Sequence, residues 1–246
     1  MHFLLALQFL TIIPINIPGE IDERDLAKSQ VYYPLIGAGL GLILWGVFFI
    51  LHDIFPKNVV STILVMLLVF ITGGLHLDGL ADTLDALGSR KSREKMLEIM
   101  KDSRLGTMGA VGIMSILILK MEFLSCLPRS LSAPALILMP IMGRWSIALP
   151  ALLFSYARPE EGKGKFYIEG ANFKVFSVST GIALTLILLV MFSLKGIFLL
   201  LIVGLVAILL GKYLNSRLGG LTGDTLGFII EVEEVITLSL LFLFLR

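Results

Sequence analysis

The sequence predicts an all-α fold: a polytopic transmembrane helical bundle of about seven spans plus a short N-terminal interfacial or re-entrant apolar segment, in one integral membrane domain over residues 1–246. Three observations predict it. Hydrophobic residues make up 57% of the chain and its mean hydropathy is +0.93. Charged residues make up 16%, against about 25% in soluble domains, and such a surplus of apolar side chains needs lipid as its solvent. Apolar stretches recur along the whole chain, and Lys and Arg gather in alternate connections between them.

Met1 to Ile13 is apolar but has no basic start and no small-residue cleavage site after it, so it does not read as a cleaved signal peptide. It is shorter than the about 20 residues a helix needs to cross a bilayer, and is expected at the interface or folded back into the bundle. Seven longer stretches follow: Tyr33–Phe55, Val59–Leu75, Met108–Leu127, Leu131–Phe154, Phe173–Leu194, Ile197–Leu214 and Leu226–Leu245. Lipid offers peptide groups no partners, so each stretch is expected to be helical.

The segment before the first stretch and the connections after the second, fourth and sixth carry fourteen Lys and Arg residues. The other side carries four, Lys57, Arg129, Lys195 and Arg246, while Lys120 and Arg144 lie within stretches. Positive residues favour the cytoplasm, so the richer connections are expected on the cytoplasmic face of the inner cell membrane. The opposite turns, Pro56-Lys57-Asn58, Pro128-Arg129-Ser130 and Lys195-Gly196, are short. The pattern is one of helical hairpins whose working loops open to one face.

Several function classes drop out. A net charge of +1 provides no basic field for nucleic acid. The single cysteine, Cys126, excludes an intrachain disulfide and a Cys-rich metal site. Gly162-Lys163-Gly164-Lys165 lacks the spacing of a P-loop. Gly37, Gly39 and Gly41 include a Gly-x-x-x-Gly pair that serves close helix packing without any ligand.

The most informative run is Gly73 to Asp85. Asp78, Asp82 and Asp85 are spaced by four and three, which places them on one helical face. Three such carboxylates repel one another unless a cation lies among them, and oxygen-rich sites suit Mg2+ or Mn2+ where a substrate adds phosphate oxygens. The alternative is a solvated acidic helix end. Gly79 and Ala81 leave room for a bulky ligand to approach the backbone. His76 is a metal ligand, a phosphate contact or a capped interfacial histidine.

The next connection holds six basic residues between Arg90 and Arg104, and topology alone accounts for Arg90, Lys91, Arg93 and Lys95. Ser103-Arg104-Leu105-Gly106 lies at the start of a span, where a helix N-terminus favours anions; Arg104 is expected to contact phosphate, with Ser103 beside it. The last motif runs from Gly219 to Gly227. Asp224 follows Gly223 in a glycine-rich segment, and Glu231, Glu233 and Glu234 follow inside the final span. Asp224, Glu231 and Glu234 can share one face and form either a second half of a metal site, a base, or structural ion pairs with Arg144 or Lys120.

These blocks resemble the cobalamin synthase family, the adenosylcobinamide-GDP ribazoletransferases. The resemblance is carried in order by Leu7 to Pro14, Tyr33 to Gly37, Gly73 to Asp85, Asp102 to Gly109, Gly143-Arg144, Ala157 to Gly162 and Gly219 to Glu234, and covers nearly the full chain. Its most specific block is His76-Leu77-Asp78-Gly79-Leu80-Ala81-Asp82. The resemblance implies a Mg2+-dependent, membrane-bound transfer that joins adenosylcobinamide-GDP to α-ribazole or its 5′-phosphate and releases GMP, the nucleotide-loop step of cobalamin biosynthesis. On that reading Asp78, Asp82 and Asp85 hold metal, and Arg104, Arg144 and Arg158 neutralise phosphate. Ser103, His76, Gly79 and Gly223 line the substrate, and Asp82, Asp224, Glu231 or Glu234 takes a proton or binds a second metal. Partners are the two substrates and the lipid bilayer; a homo-oligomer or an association with other cobalamin-pathway enzymes stays open.

Two rivals are weighed against this reading. CDP-alcohol phosphotransferases of lipid synthesis also set aspartates on membrane helices, but their Asp-Gly is followed by Ala-Arg, and here Asp78-Gly79 is followed by Ala81-Asp82. A cation-coupled transporter would place its acids near the midplane between repeated halves, whereas this chain shows no repeat and clusters them towards one face.

Overall fold

The computed structural model describes residues 1–17, 22–158 and 163–245. Residues 159–162, part of one resembling block, and Arg246 lie outside the described residues. The chain forms α1 (His2–Leu10), α2 (Glu23–Ser29), a 3-10 turn (Gln30–Tyr32), α3 (Tyr33–Leu51), α4 (Lys57–Thr72), α5 (Leu75–Gly88), α6 (Arg93–Ile99) and α7 (Thr107–Cys126). It continues through α8 (Arg129–Ser146), α9 (Ala148–Leu153), α10 (Lys163–Glu169), α11 (Phe173–Met191), α12 (Lys195–Leu218) and α13 (Gly223–Leu245). Among the described residues there is no strand, only an isolated bridge between Tyr156 and Leu221.

Five helical runs are long and apolar enough to cross a membrane: Arg24–Leu51, Thr107–Cys126, Arg129–Leu153, Phe173–Met191 and Lys195–Leu218. The pair α4–α5 makes a sixth if taken as one broken span, bent by 90°. The expected seven is therefore not reached on length and apolarity. The expected second span turns a corner, and α13, although 23 residues long, carries Asp224 and three glutamates.

The corner has a local cause. Gly73 and Gly74 both adopt left-handed backbone, at φ +64° and +68°, which glycine enters without steric cost. The Gly73 N–H donates to the Phe70 carbonyl and the Gly74 N–H to the Val69 carbonyl, closing the end of α4. The chain then leaves in a new direction as α5. At nine residues, α1 is too short to span. It packs against α2 and α3 on Leu5, Ala6 and Leu10, and the Ile12 N–H after it donates to Ile71 near the end of α4.

The helix α8 is central, with α3, α11 and α13 packed around it. Its closest neighbour is α3, because Gly37 and Gly41 present bare backbone to it. A Cβ on Gly37 would lie 2.4 Å from the Pro140 carbonyl oxygen, and one on Gly41 would lie 2.5 Å from Ile137 Cα. Pro140 has no N–H, so the Leu136 carbonyl loses its partner one turn on, and Gly41 lies against that carbonyl. Gly39 faces open space.

Two substitutions test this seam. Gly37→Ala and Gly41→Ala should each cost about 1–3 kcal/mol, the usual penalty of overpacking, read as a lower melting temperature in detergent. Gly39→Ala should leave melting unchanged or raise it slightly, since alanine is the better helix former.

Candidate active site

The helices α5 and α13 cross with their backbones in contact. A Cβ on Gly79 would lie 2.6 Å from the Asp224 carbonyl oxygen, and one on Gly227 would lie 3.1 Å from the His76 carbonyl oxygen. The room expected above Gly79 for a ligand is thus filled by α13, since two helices can approach this closely only where a side chain is missing. The crossing brings the acids of α5 to the first turn of α13. Asp82, half-buried, lies within electrostatic reach of Asp78, Asp224 and Asp85, with Arg158 opposing them. Asp78 is exposed at the mouth.

Asp224 is held from the other side. Arg158 Nη2 donates to its Oδ2 at 2.7 Å, and the Thr222 hydroxyl donates to the same oxygen at 3.3 Å. Arg158 is positioned by the segment before it, where the Ala157 N–H donates to the Leu221 carbonyl and the Leu221 N–H to the Ser155 carbonyl, each at 2.8 Å. Gly220 permits that approach: a Cβ there would lie 2.7 Å from Ala157 Cα. A cleft of about 230 Å³ results, lined by His76, Asp78, Tyr156, Arg158, Gly223 and Asp224 among others. His76 is buried in its wall, and neither ring nitrogen has a hydrogen-bond partner among the described residues. An unpartnered buried ring is costly and stands ready to meet a polar ligand.

Asp85, expected as the third metal ligand, is engaged elsewhere. Its Oδ2 accepts from the Gly106 N–H at 2.7 Å and its Oδ1 from the Gly109 N–H at 2.8 Å. Gly106 is the N-cap of α7 and has no side chain to cap with; the Asp85 carboxylate does so from a neighbouring helix, where the helix dipole favours a negative charge. A Cβ on either glycine would lie 2.4 Å from an Asp85 oxygen. The glycines of the Ser103-to-Gly109 block therefore receive a carboxylate of the protein itself. Ser103 and Arg104 are exposed before this cap. The Arg104 guanidinium folds back on Asp102, at 2.5 Å.

Glu231 and Glu234 take the ion-pair arrangement that the sequence left open. Lys120 Nζ lies 2.6 Å from Glu231 and 2.5 Å from Glu234, and Arg144 donates to Glu234. All four are buried. Arg144 is thereby committed to a glutamate, and it is not among the residues that line the cleft. Glu233 is buried with neither carboxylate oxygen bonded among the described residues. Tyr156, Gly164 and Phe9 also line the cleft: Gly164 lies in the basic run from Gly162 to Lys165, which could touch an anionic substrate, Phe9 lies in the Leu7-to-Pro14 block without a role of its own, and Tyr156 carries no charge or motif to flag it. Lys120→Met should strand the buried Glu231 carboxylate, leave Glu234 with Arg144 alone and cost about 3–5 kcal/mol, and Glu231→Gln on that background should recover part of it, both read from thermal melts.

Among the described residues, no three His, Cys, Asp or Glu side chains close into a metal-binding group. The acids at the mouth are open to solvent on one side, with Asp78 exposed.

Comparison with known proteins supplies the family. A family model described as cobalamin-5-phosphate synthase matches residues 2–242. A relative from Caldanaerobacter subterraneus subsp. tengcongensis, named adenosylcobinamide-GDP ribazoletransferase, is 39% identical over 95% of this chain and 94% of its own. Relatives of the same name from Acetivibrio thermocellus and Clostridioides difficile are 38% and 37% identical, over 99% and 98% of this chain and 98% and 97% of theirs. No solved structure matches the chain. With the match running through every helix that builds the cleft, the chain belongs to the cobalamin-5-phosphate synthase family.

Proposed function

We propose that this protein transfers the adenosylcobinamide phosphoryl group from adenosylcobinamide-GDP to α-ribazole or α-ribazole 5′-phosphate and releases GMP. Beyond the family match, the observation that carries the reading is the convergence of Asp78 and Asp224 on one cleft with Arg158 and an unpartnered His76, while Asp82 lies behind them within electrostatic reach of both carboxylates. Phosphoryl transfer needs positioning and charge neutralisation more than covalent help from the protein, and this cleft offers both.

Asp78 and Asp224 would offer a hard divalent cation one carboxylate each at the cleft, with Asp82 adding negative charge nearby. Mg2+ sites commonly use one or two carboxylates, with waters and substrate phosphates completing the shell, and an open acidic mouth suits that better than a closed cage. Bound Mg2+ would neutralise charge on the pyrophosphate. Arg158 reaches the same phosphates from the side of Asp224, and the planar fork of arginine suits phosphate oxygens. His76 bonds a substrate oxygen from the wall. The attacking hydroxyl of the ribazole gives up its proton to a carboxylate of the cluster as its oxygen bonds to phosphorus and the bond to GMP breaks. Asp85 keeps α7 docked on α5, and the Lys120 pair keeps α13 in register with α7 and α8.

Purified protein supplied with adenosylcobinamide-GDP, α-ribazole phosphate and Mg2+ should release GMP with a corrinoid product, and EDTA should stop it. A folded sample that makes no GMP would overturn the reading. Asp82→Asn and Asp224→Asn should lower kcat at least about 100-fold, on the scale of losing one transition-state contact, with melting little changed.

The guanidinium of Arg104 holds the Asp102 carboxyl down at about 2. Because the folded value lies below the ordinary one, the pair is complete above the usual carboxylate range and is lost only as pH falls through about 2. Arg104 must leave Asp102 to hold a phosphate. Asp102→Asn should therefore lower the KM for adenosylcobinamide-GDP and Arg104→Ala should raise it; unchanged values in both would remove Arg104 from the substrate site.

The cleft is proposed to face the cytoplasm from the inner membrane, on the distribution of Lys and Arg. The lone Cys126, exposed at the far end of α7, should react with an impermeant maleimide from outside intact cells or spheroplasts. In Cys126→Ser carrying Ser103→Cys, labelling should require permeabilisation.

A further inference from the structure

At the end of the bundle opposite the acidic cleft lies a second cavity, of about 170 Å³. It opens between the α3–α4 turn and the α7–α8 turn. Its walls are apolar, with Phe48, Val60, Leu64, Leu124, Leu127 and Leu136 contributed by the four helices. Its rim is charged. Arg129 reaches across from the second turn to the first, 3.3 Å from Asp53 and in contact with the His52 ring. Lys57 stands at the rim, exposed and without an ion pair among the described residues. The helices α4 and α8 both begin here after a proline, with no side-chain cap, so two positive helix ends add to the two cations.

We propose that this cavity binds a membrane phospholipid, its phosphate against Lys57 and Arg129 and the upper part of one acyl chain along the leucine wall. Size selects a lipid over a soluble anion or a soluble apolar molecule. The cavity is below the roughly 300 Å³ at which whole ligands are enclosed, so it takes part of a molecule whose remainder lies outside, as an acyl chain in a bilayer does. Polarity selects the same ligand: a charged rim above an apolar wall at the end of membrane helices matches a headgroup above its chain. The cavity reaches down α4 as far as Leu64, the helix runs on to Thr72 for about 12 Å at 1.5 Å per residue, and no residue lines both cavity and cleft, so it is a separate site. Its effect travels along α4, which ends at the Gly73–Gly74 corner before Asp78, and along α7, whose other end is capped by Asp85. A lipid seated here braces both helices that deliver the acids.

The test uses full-length protein stripped of lipid in detergent, with phosphatidylglycerol, phosphatidylethanolamine, diacylglycerol, glycerol 3-phosphate and inorganic phosphate as separate probes. Retention is read by native mass spectrometry and stability by thermal melting. Phospholipid should be retained and should raise the melting temperature, while diacylglycerol, glycerol 3-phosphate and phosphate should do neither. Lys57→Ala, which removes an exposed unpaired side chain, should weaken retention about tenfold, on the scale of one charged hydrogen bond. Ser61→Phe, which fills the cavity floor, should abolish the thermal shift. Lys91→Ala, an exposed cation at the other end of the bundle, should retain phospholipid as the parent does. Equal retention by the parent, Lys57→Ala and Ser61→Phe, equal stabilisation by diacylglycerol, or competition by inorganic phosphate alone would each overturn the proposal.

Discussion

Lys120 of α7 and Arg144 of α8 meet Glu231 and Glu234 of α13 inside an apolar bundle, and the arrangement of these three helices depends on that meeting. A charge with no partner in lipid is costly, so neither the glutamates nor the cations can be rotated away or exposed. The network sets the rotation of α13 about its own axis. Once that rotation is set, Asp224 in the first turn of α13 lies beside α5, and Gly227 and Gly79 let the two backbones touch. The acidic mouth follows from a requirement that lies deeper in the membrane than the mouth itself.

The second constraint is the corner at Gly73 and Gly74. A straight continuation of α4 would carry Asp78, Asp82 and Asp85 out along its own axis, away from α13. The left-handed pair turns α5 through 90° and lays it across the end of the bundle, where Asp85 caps α7 and Asp82 lies near Asp224. Three adjacent aspartates of one helix face thus acquire different tasks. Asp78 is open to solvent, Asp82 lies among carboxylates, and Asp85 is spent on two backbone amides. They share one helix face; the neighbours supplied by other helices differ.

Charge in this protein is therefore sorted by depth. The ion pairs in the bundle interior are closed, each cation matched to glutamates, and hold helices together; Glu233 is the exception, buried there with neither carboxylate oxygen bonded among the described residues. The groups at the cleft and just behind it are less completely matched: Arg158 and Asp224 form one pair, His76 has no partner among the described residues, and Asp82, behind the lining, faces three like charges. Closed networks suit a scaffold, and open ones suit a site where a ligand must complete the set. The rim at Lys57 and Arg129 is open in the same sense, at the other end of the molecule.

Much was legible in the residues alone. Composition and the run of apolar stretches determined an all-helical membrane bundle, because lipid requires peptide groups to bond internally and long unbroken apolar stretches do so as helices, whereas barrel strands alternate polar and apolar residues. The Gly-x-x-x-Gly pair announced a close helix seam, and the block from His76 to Asp82 announced both the family and the acids of the cleft. Only the tertiary structure decided which acids meet. Periodicity places side chains on a face of their own helix but does not say what that face touches, so Asp85 reads like Asp82 until α7 arrives. Glu231 reads like Asp224 until Lys120 does. The span count also lay beyond the sequence, since hydropathy cannot tell a straight helix from one that turns at two glycines, and a helix carrying glutamates becomes acceptable in lipid only when neighbours supply their counter-charges.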